Sequence, residues 1–183
     1  MPVITVSLIT GYDTAARTRL SERITDATTS VIRAPSDLVT VMINEVAADN
    51  YMRGRTARSP GPAHADQSKL VQDYLNAMER RDLDAAMKLQ APGFTMVFPG
   101  GEEFTSLDQL IAWASQRYNS ISKTYETFDC CPTDGGATVY CFGTLQGVWL
   151  DGSKFSGVRF IDRFTVVDDL LTSQQVWNDL RVE

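Results

Sequence analysis

The sequence predicts a protein of mixed α+β and α/β class. We expect an N-terminal β-α-β unit and a C-terminal unit in which a curved antiparallel sheet carries helices. Three observations favour this fold class. A strand pattern, a long amphipathic helix and a second strand open the chain. A Pro- and Gly-rich stretch follows, and then two helical patterns lead into several strand-like runs, an order typical of an α+β unit.

Charge and composition divide the chain in two. The first 65 residues hold seven arginines, no lysine and six acidic residues, whereas the remainder holds ten basic and seventeen acidic residues. Pro60 and Pro62 bracket a glycine where apolar periodicity is missing, which is typical of a linker. We therefore predict a first domain over residues 1–55, a linker over 56–65 and a second domain over 66–183.

The first domain is predicted as strand, helix, strand and hairpin arm. The β-branched run Val3–Thr10 predicts a strand that ends at Gly11. Apolar residues at helical spacing predict a helix over 14–33, and Ala34-Pro35 ends it because the residue before proline avoids the α region. Residues 38–46 predict a second strand, parallel to the first because a helix connects them, and residues 51–55 predict the arm.

Two strands and one helix bury too little apolar surface to be stable alone in about 60 residues. The first strand reads as apolar on both faces. Either the second domain or another copy of the chain must then cover this surface, and the apolar first strand favours self-association.

The second domain is predicted to begin with two helices, over 67–81 and 84–90, before a strand at Phe94–Phe98. Glu102-Glu103 is predicted as a solvated turn, and Ser106 caps a helix that runs to about Tyr118. Long strands are then predicted at 125–131, 137–150, 155–167 and 170–180. Gly143, Gly147 and Gly157 lie inside these strands, where glycine permits bending.

Composition excludes several classes of function. The formal charge of −6 argues against a nucleic acid partner, and no apolar run approaches the roughly 18 residues that a membrane span needs. The N-terminus has no basic region or small-residue cleavage site, and the three cysteines have no metal spacing. We expect a cytoplasmic protein that uses no cofactor and no metal and that binds a small molecule.

Pro2 gives the sharpest chemical hypothesis. Removal of Met1 would leave Pro2 with a secondary amine at the N-terminus. An α-amino group has a pKa near 7.7–8.0, and a dry pocket with nearby cations lowers it. Such a base suits proton abstraction next to a carbonyl group.

Residues 2–55 resemble the 4-oxalocrotonate tautomerase family. The resemblance rests on Pro2 before an apolar strand, on the glycine after that strand, on the long helix and its Ala-Pro end, on Asn44-Glu45-Val46 and on the arm Tyr51-Met-Arg-Gly54. It implies that the N-terminal proline is a general base, that two arginines bind the substrate and that an aromatic residue in the arm walls the pocket.

Carried onto this sequence, the proline is Pro2 and the aromatic residue is Tyr51. Tyr12 and Thr40 occupy the positions of the two family arginines. Because a carboxylate prefers a guanidinium fork, this departure bears on the substrate. Tyr12 could instead donate a hydrogen bond to an enolate oxygen. Arg53 and Arg55 could supply cations to a neighbouring subunit's pocket, or could simply be solvated.

Residues 66–182 resemble the SnoaL-like branch of the nuclear-transport-factor-2-like superfamily, a cone-shaped sheet wrapped over helices with a pocket inside. The landmarks are Glu79-Arg-Arg-Asp82, Val97-Phe-Pro-Gly-Gly101 and Val176-Trp-Asn-Asp179. The resemblance implies a carboxylate base in the pocket, but Phe98 stands where the isomerases of this superfamily carry theirs.

Asp162 and Asp179 are the remaining carboxylate candidates for this second pocket, with Trp177 on the same face as Asp179. An acid among aromatic side chains suits acid–base chemistry. The alternative for both is an ion pair with Arg159, Arg163 or Arg181.

The leading functional hypothesis is isomerisation of a small carbonyl compound with Pro2 as the base. One alternative is a cyclase or isomerase whose active pocket lies in the cone. Another is a non-catalytic module for ligand binding and oligomerisation. Both resemblances imply a homo-oligomer, from a dimer to a hexamer.

Overall fold

A computed structural model describes residues 1–180. The chain divides into two compact units, Met1–Ala63 and the residues from His64 onward. The division falls inside the Pro- and Gly-rich stretch.

The first unit is a parallel pair of strands joined by one helix. β1 (Val3–Ile9) pairs in register with β2 (Thr40–Val46), so that Val3 lies opposite Thr40. α1 (Thr14–Val31) connects them. The Asp13 carboxylate caps α1 by accepting a hydrogen bond from the Ala16 amide at 2.7 Å. The arm is the two-residue strands β3 (Met52–Arg53) and β4 (Thr56–Ala57).

The first unit buries almost nothing on its own. Among residues 1–63 only Ile9 is buried. The prediction that β1 is apolar on both faces is wrong, because one face carries Thr5 and Ser7 beside an exposed Val3. Two strands and one helix leave most of their apolar side chains half-exposed, so this unit gains little stability from its own core.

The second unit begins with three helices, each started by a side-chain cap. α2 (Gln67–Glu79) is capped by Asp66, α3 (Leu83–Met87) by Asp82, and α4 (Leu107–Ser115) by Ser106. α2 ends in a Schellman motif, in which the Asp82 amide donates to the Ala77 carbonyl at 2.9 Å and the Arg81 amide donates to the Met78 carbonyl at 3.2 Å. Arg81 takes the left-handed position of that motif, with φ at +59°.

The strands of the second unit are β5 (Gln90–Phe98), β6 (Glu102–Phe104), β7 (Tyr118–Thr133), β8 (Gly136–Trp149), β9 (Lys154–Val167) and β10 (Leu170–Asn178). They form one sheet in the order β6-β5-β10-β9-β8-β7, antiparallel except for the β5–β10 pair. The predicted turn at Glu102-Glu103 is wrong, because both residues pair with β5. β7 begins at Tyr118, earlier than the predicted Tyr125.

The long strands of the sheet contain register shifts and close-packed glycines. The β7–β8 register shifts between Tyr125 and Thr127, and a Cβ on Gly143 would lie 2.0 Å from the Thr124 carbonyl oxygen. A Cβ on Gly147 would lie 2.1 Å from the Ser120 carbonyl oxygen. These approaches leave no room for a Cβ at either position, and the role of the strand glycines in bending stays a prediction.

The core lies between the concave face of this sheet and the helices. Its largest fully buried side chains include Tyr74 of α2, Met96 of β5, Leu145 of β8 and Phe164 of β9. The predicted mixed α+β fold, a β-α-β unit followed by a curved sheet with helices, is confirmed.

Candidate functional site in the cone

The second unit, a curved sheet over helices, is the cone that the sequence resemblance implies, and its interior contains a cavity of about 170 Å³. α2, α4 and the concave face of the sheet surround it. Aromatic residues form much of its wall, namely Tyr74, Phe98, Trp113, Tyr118, Tyr125 and Phe160. Four ionisable side chains of other types also reach it, namely Glu79, Arg81, Arg117 and Lys123. The cavity is therefore an apolar site with a few charged groups, which is typical of small-molecule pockets.

A lysine–aspartate pair lies at the inner wall. The Lys123 ammonium donates a short hydrogen bond to Oδ2 of Asp162. The Asp162 side chain is fully buried, whereas the Lys123 side chain is 22% exposed and lines the cavity. Lys123 therefore faces the cavity, and the Asp162 carboxylate that binds it is buried in the wall.

A second amide contact fixes the aspartate. Gln174 donates from Nε2 to Oδ2 of Asp162 at 3.3 Å, and its Oε1 accepts from the Tyr74 hydroxyl at 3.4 Å. The other carboxylate oxygen, Oδ1, is buried with no hydrogen-bond partner among the described residues. A buried oxygen without a partner is unfavourable. The hydrogen bonds from Lys123 and Gln174, both to Oδ2, are therefore the contacts that stabilise the charge of Asp162.

An aromatic ring lies against the ammonium. Lys123 Nζ lies 4.5 Å from the centre of the Phe160 ring, a cation–π contact. The Tyr125 and Phe160 rings meet edge to face at 5.8 Å. Burial, followed by the negative charges of Asp162 and Glu79, raises the pKa of Tyr125. Burial likewise raises the pKa of Tyr74, so both phenols keep their protons near neutral pH.

Two arginines reach another part of the wall. Arg117 follows α4 and lies 4.7 Å from the centre of the Trp113 ring. Arg81 follows α2 in the Schellman motif. Burial raises the pKa of Tyr118, and the charges of Arg117 and then Arg81 oppose that rise. Both guanidinium groups therefore act on the same phenol. We call Arg81 and Arg117 the arginine pair.

The three residues predicted for this pocket, Asp162, Trp177 and Asp179, lie in different surroundings. Asp162 lies beside the cavity, but the partner is Lys123 instead of the predicted arginines. Trp177 is half-exposed on the convex face, opposite Ile161, and does not line the cavity. Asp179 forms an exposed ion pair with Arg159 at 2.6 Å, which is one of the predicted alternatives. Arg181 lies outside the described residues. Placing Trp177 and Asp179 in the pocket was wrong, because alternation along β10 turns their side chains away from it.

The sequence analysis does not predict Glu79, Arg81, Arg117 or Lys123 as residues of this site. Lys123 is the most informative of them. It lies in Asn119-Ser-Ile-Ser-Lys-Thr124, a polar run without the β-branched enrichment that predicts a strand. One signal was present. Lys123 is the only lysine between Lys88 and Lys154, and it alternates with Ile121 and Tyr125, which also line the cavity.

The residues predicted for a site at Pro2 lie at opposite ends of the first unit. Pro2 precedes β1, and its carbonyl accepts from the Thr40 amide at 3.0 Å. Tyr12 follows the other end of β1, and Tyr51 follows β2. Seven residues of strand separate these ends by about 23 Å at 3.3 Å per residue.

Arg53 and Arg55 lie exposed in the arm at the same end as Tyr51. One copy of the chain therefore brings together Pro2 and Thr40 only. A site that combines Pro2 with Tyr12, Tyr51, Arg53 or Arg55 requires a second copy.

Two family models match the chain. A family described as "Tautomerase enzyme" matches residues 2–57, and one described as "SnoaL-like domain" matches residues 71–174. The chain belongs to the SnoaL-like family and carries a tautomerase domain on the N-terminal side of the SnoaL-like domain in the sequence. Both resemblances drawn from the sequence are confirmed. Both are isomerase-like enzyme families, which supports a function of the isomerase or cyclase type.

Solved structures show the same cone. A nuclear-transport-factor-2-like protein of unknown function from Burkholderia pseudomallei is 15% identical, with a TM-score of 0.53 over 63% of this chain and 92% of its own. TerC, co-crystallised with polyporic acid, is 16% identical, with a TM-score of 0.54 over 62% and 92%. A proposed polyketide cyclase from Xanthomonas campestris is 19% identical, with a TM-score of 0.50 over 62% and 90%. At these identities the likeness shows the fold alone.

No curated protein is significantly similar to the chain. Among the described residues, no helix combines the length and the apolar character needed to cross a membrane.

Proposed function

We propose that the chain is an isomerase or cyclase acting on a small, enolisable carbonyl compound, and that the reaction takes place in the cone cavity. The carrying observation is Lys123, which presents an ammonium to an aromatic cavity while a fully buried carboxylate holds it in place. A cation fixed in an apolar site stabilises developing negative charge far more than one in water does.

In this proposal Lys123 receives the carbonyl oxygen of the substrate. As a proton leaves the neighbouring carbon, charge moves onto that oxygen, and Lys123 stabilises the enolate or gives it a proton. Asp162 is a positioning residue, because it is buried behind Lys123 and does not line the cavity. The aromatic wall suits a substrate with an apolar, ring-bearing body. TerC, which has the same fold, was crystallised with polyporic acid.

Enolisation also needs a group that accepts the carbon-bound proton. Glu79, at the end of α2, is the carboxylate that lines the cavity among the described residues. Its charge and that of Asp162 both act on Tyr125, which also lines the cavity. We assign Glu79 as the base. Return of the proton to a different carbon would complete an isomerisation.

Deuterium incorporation tests the proposal. The untagged protein is incubated in D₂O with 2-tetralone, a neutral bicyclic ketone, and with phenylpyruvate, and exchange next to the carbonyl is followed by NMR. We expect Lys123→Met with Asp162→Asn to lower the catalysed rate by about 100-fold or more, as expected for loss of an acid–base group. The double variant is used because it leaves no unpaired buried charge. Glu79→Gln should lower the rate to a similar degree.

The matched control is Lys154→Met, which removes an exposed lysine outside the cavity. It should exchange at the wild-type rate. Full exchange by the folded double variant would refute the proposed site. Binding of both compounds without exchange would leave the cone as a ligand-binding module.

A second candidate function places the base at Pro2. The tautomerase family model begins to match at residue 2, and Pro2 is half-buried at the head of β1. We propose that removal of Met1 frees the prolyl amine and that self-association of the chain brings Tyr12, Tyr51, Arg53 or Arg55 of another copy to it. The substrate would again be a small carbonyl compound.

The intact mass of untagged protein tests the first condition, because a mass that retains Met1 excludes the amine as a base. Pro2→Ala tests the second. It should abolish phenylpyruvate turnover if Pro2 is the base and should leave the rate unchanged if Lys123 carries the reaction. Sedimentation of the untagged protein tests the self-association, since this site does not exist in a monomer.

A further inference from the structure

We propose that the arginine pair forms a binding subsite for a carboxylate, so that the compound bound in the cone is a carboxylic acid with an apolar, ring-bearing body. This inference names the substrate class for the cavity and therefore rests on the proposed function. Arg81 and Arg117 line the same cavity, lack ionic partners within residues 1–180, and include one residue in a left-handed conformation.

Both side chains line the cavity that contains Lys123. They come from different elements, one after α2 and one after α4, and line the same cavity as Tyr118, on which both charges act. Two guanidinium groups and a phenol provide several N–H and O–H donors, which suit the two oxygens of a carboxylate. The ring of Trp113 lies against Arg117 and limits its motion.

The charges of the cavity do not balance. Asp162 compensates Lys123, which leaves two arginines and Glu79 among the other charged residues of the wall. Within residues 1–180, neither Arg81 nor Arg117 lies within ion-pair distance of a carboxylate. The cavity therefore carries a net charge of about +1 and matches a ligand with one negative charge.

Arg81 occupies a backbone position that favours glycine. Its φ of +59° lies in the left-handed region, which is unfavourable for residues with a Cβ. The Schellman hydrogen bonds around it are complete, so the helix end does not itself require an arginine. A side chain that lines a cavity from a strained backbone position is a candidate for a role in binding.

The binding experiment compares two ligands of equal shape, 2-naphthoate and its neutral amide 2-naphthamide, by titration calorimetry on the full chain. We expect the acid to bind at least about tenfold more tightly than the amide, a difference of about 1.4 kcal/mol. Raising the salt concentration should reduce this ratio, because Arg81 is exposed and its charge is screened.

Arg81→Gln and Arg117→Gln should each lower the acid-to-amide ratio, and the two together should bring it close to one. The matched control is Arg80→Gln, which removes the adjacent arginine at the same helix end but outside the cavity. It should keep the wild-type ratio. All variants should bind the amide with unchanged affinity, which shows that the cavity is intact.

A ratio of one in the wild type would overturn the inference, as would a ratio that survives loss of both arginines. A ratio that depends on Lys123 but not on the arginine pair would place the carboxylate elsewhere and would also overturn it. Failure of the proposed function is distinct, since it would appear as missing deuterium exchange while the acid is still preferred. Absence of binding by both probes would overturn both proposals.

Discussion

Asp162 and Lys123 form an ion pair whose two side chains differ in their exposure to solvent. The carboxylate is fully buried, whereas the ammonium reaches the cavity. Removing one partner of such a pair leaves a charge without compensation, and the penalty depends on whether that charge can reach water. The order of the stability losses therefore shows which residue faces the ligand.

We predict that Lys123→Met lowers the free energy of unfolding by about 3–5 kcal/mol, because the Asp162 carboxylate is then buried and unpaired. Asp162→Asn should lower it less, because Lys123 can extend into the cavity. The double variant should be more stable than Lys123→Met alone. Chemical denaturation of the four proteins measures the coupling, and additive effects of the two single changes would contradict the pairing.

Alternation along β9 places Asp162 on the same face as Phe160 and Phe164, and all three side chains are buried. It could not identify the partner. Pairing between Lys123 of β7 and Asp162 of β9 spans the intervening strand β8, and such a contact depends on sheet order and curvature. For the same reason, alternation grouped Trp177 with Asp179 correctly but could not say which face of the sheet is concave.

At the scale of elements, α2 ends in a Schellman motif, a common helix end, but an arginine occupies the position where glycine is usual. Arg80 keeps a helical conformation, whereas Arg81 is left-handed. The two arginines are adjacent, so substitutions at them change the charge near the helix end equally. They differ in the backbone conformation that the new residue must adopt.

We predict opposite effects for glycine at these two positions. Arg81→Gly relieves the left-handed strain, and Arg80→Gly weakens a helical position, so the two variants should differ in free energy of unfolding by about 1–2 kcal/mol in favour of Arg81→Gly. Thermal or chemical unfolding measures this difference. If Arg81→Gly is the less stable variant, the guanidinium contributes to folding rather than to binding.

Most elements were predicted with ends displaced by a few residues. The exceptions are β6, which was read as a turn, and the first part of β7. Glu102 and Glu103 are exposed on a short edge strand, and residues 119–124 are mostly polar. Neither segment carries the apolar alternation by which a strand is recognised, because each is stabilised by pairing with a neighbouring strand instead of by burial.

At the scale of the whole molecule, the two units differ in how they can be stabilised. The hydrophobic core cluster consists of residues between Leu70 and Leu171, all in the second unit. The first unit contributes one buried side chain, Ile9. A domain of 63 residues with so small a core is not expected to be stable as a monomer.

We predict that residues 64–183 fold alone with one cooperative transition and that residues 1–63 do not fold as a monomer. Circular dichroism at several concentrations, combined with sedimentation, checks both statements. The fragment of residues 1–63 should gain helix content only at concentrations at which it associates. A concentration-independent, folded monomer of residues 1–63 would contradict the prediction and would remove the physical argument for self-association.

Alkylation of the Cys141 thiol can be used to measure opening of the sheet in the second unit. Cys141 lies on β8 directly opposite Asp162, is fully buried, and has a pKa raised to about 12, chiefly by burial. A thiol in this state reacts with an alkylating reagent only when the strands around it separate. Cys131 is exposed and should react at once. The slow phase of alkylation, assigned to Cys141 by peptide mass, therefore reports how often the sheet opens. A ligand that binds in the cavity should lower the rate of this phase.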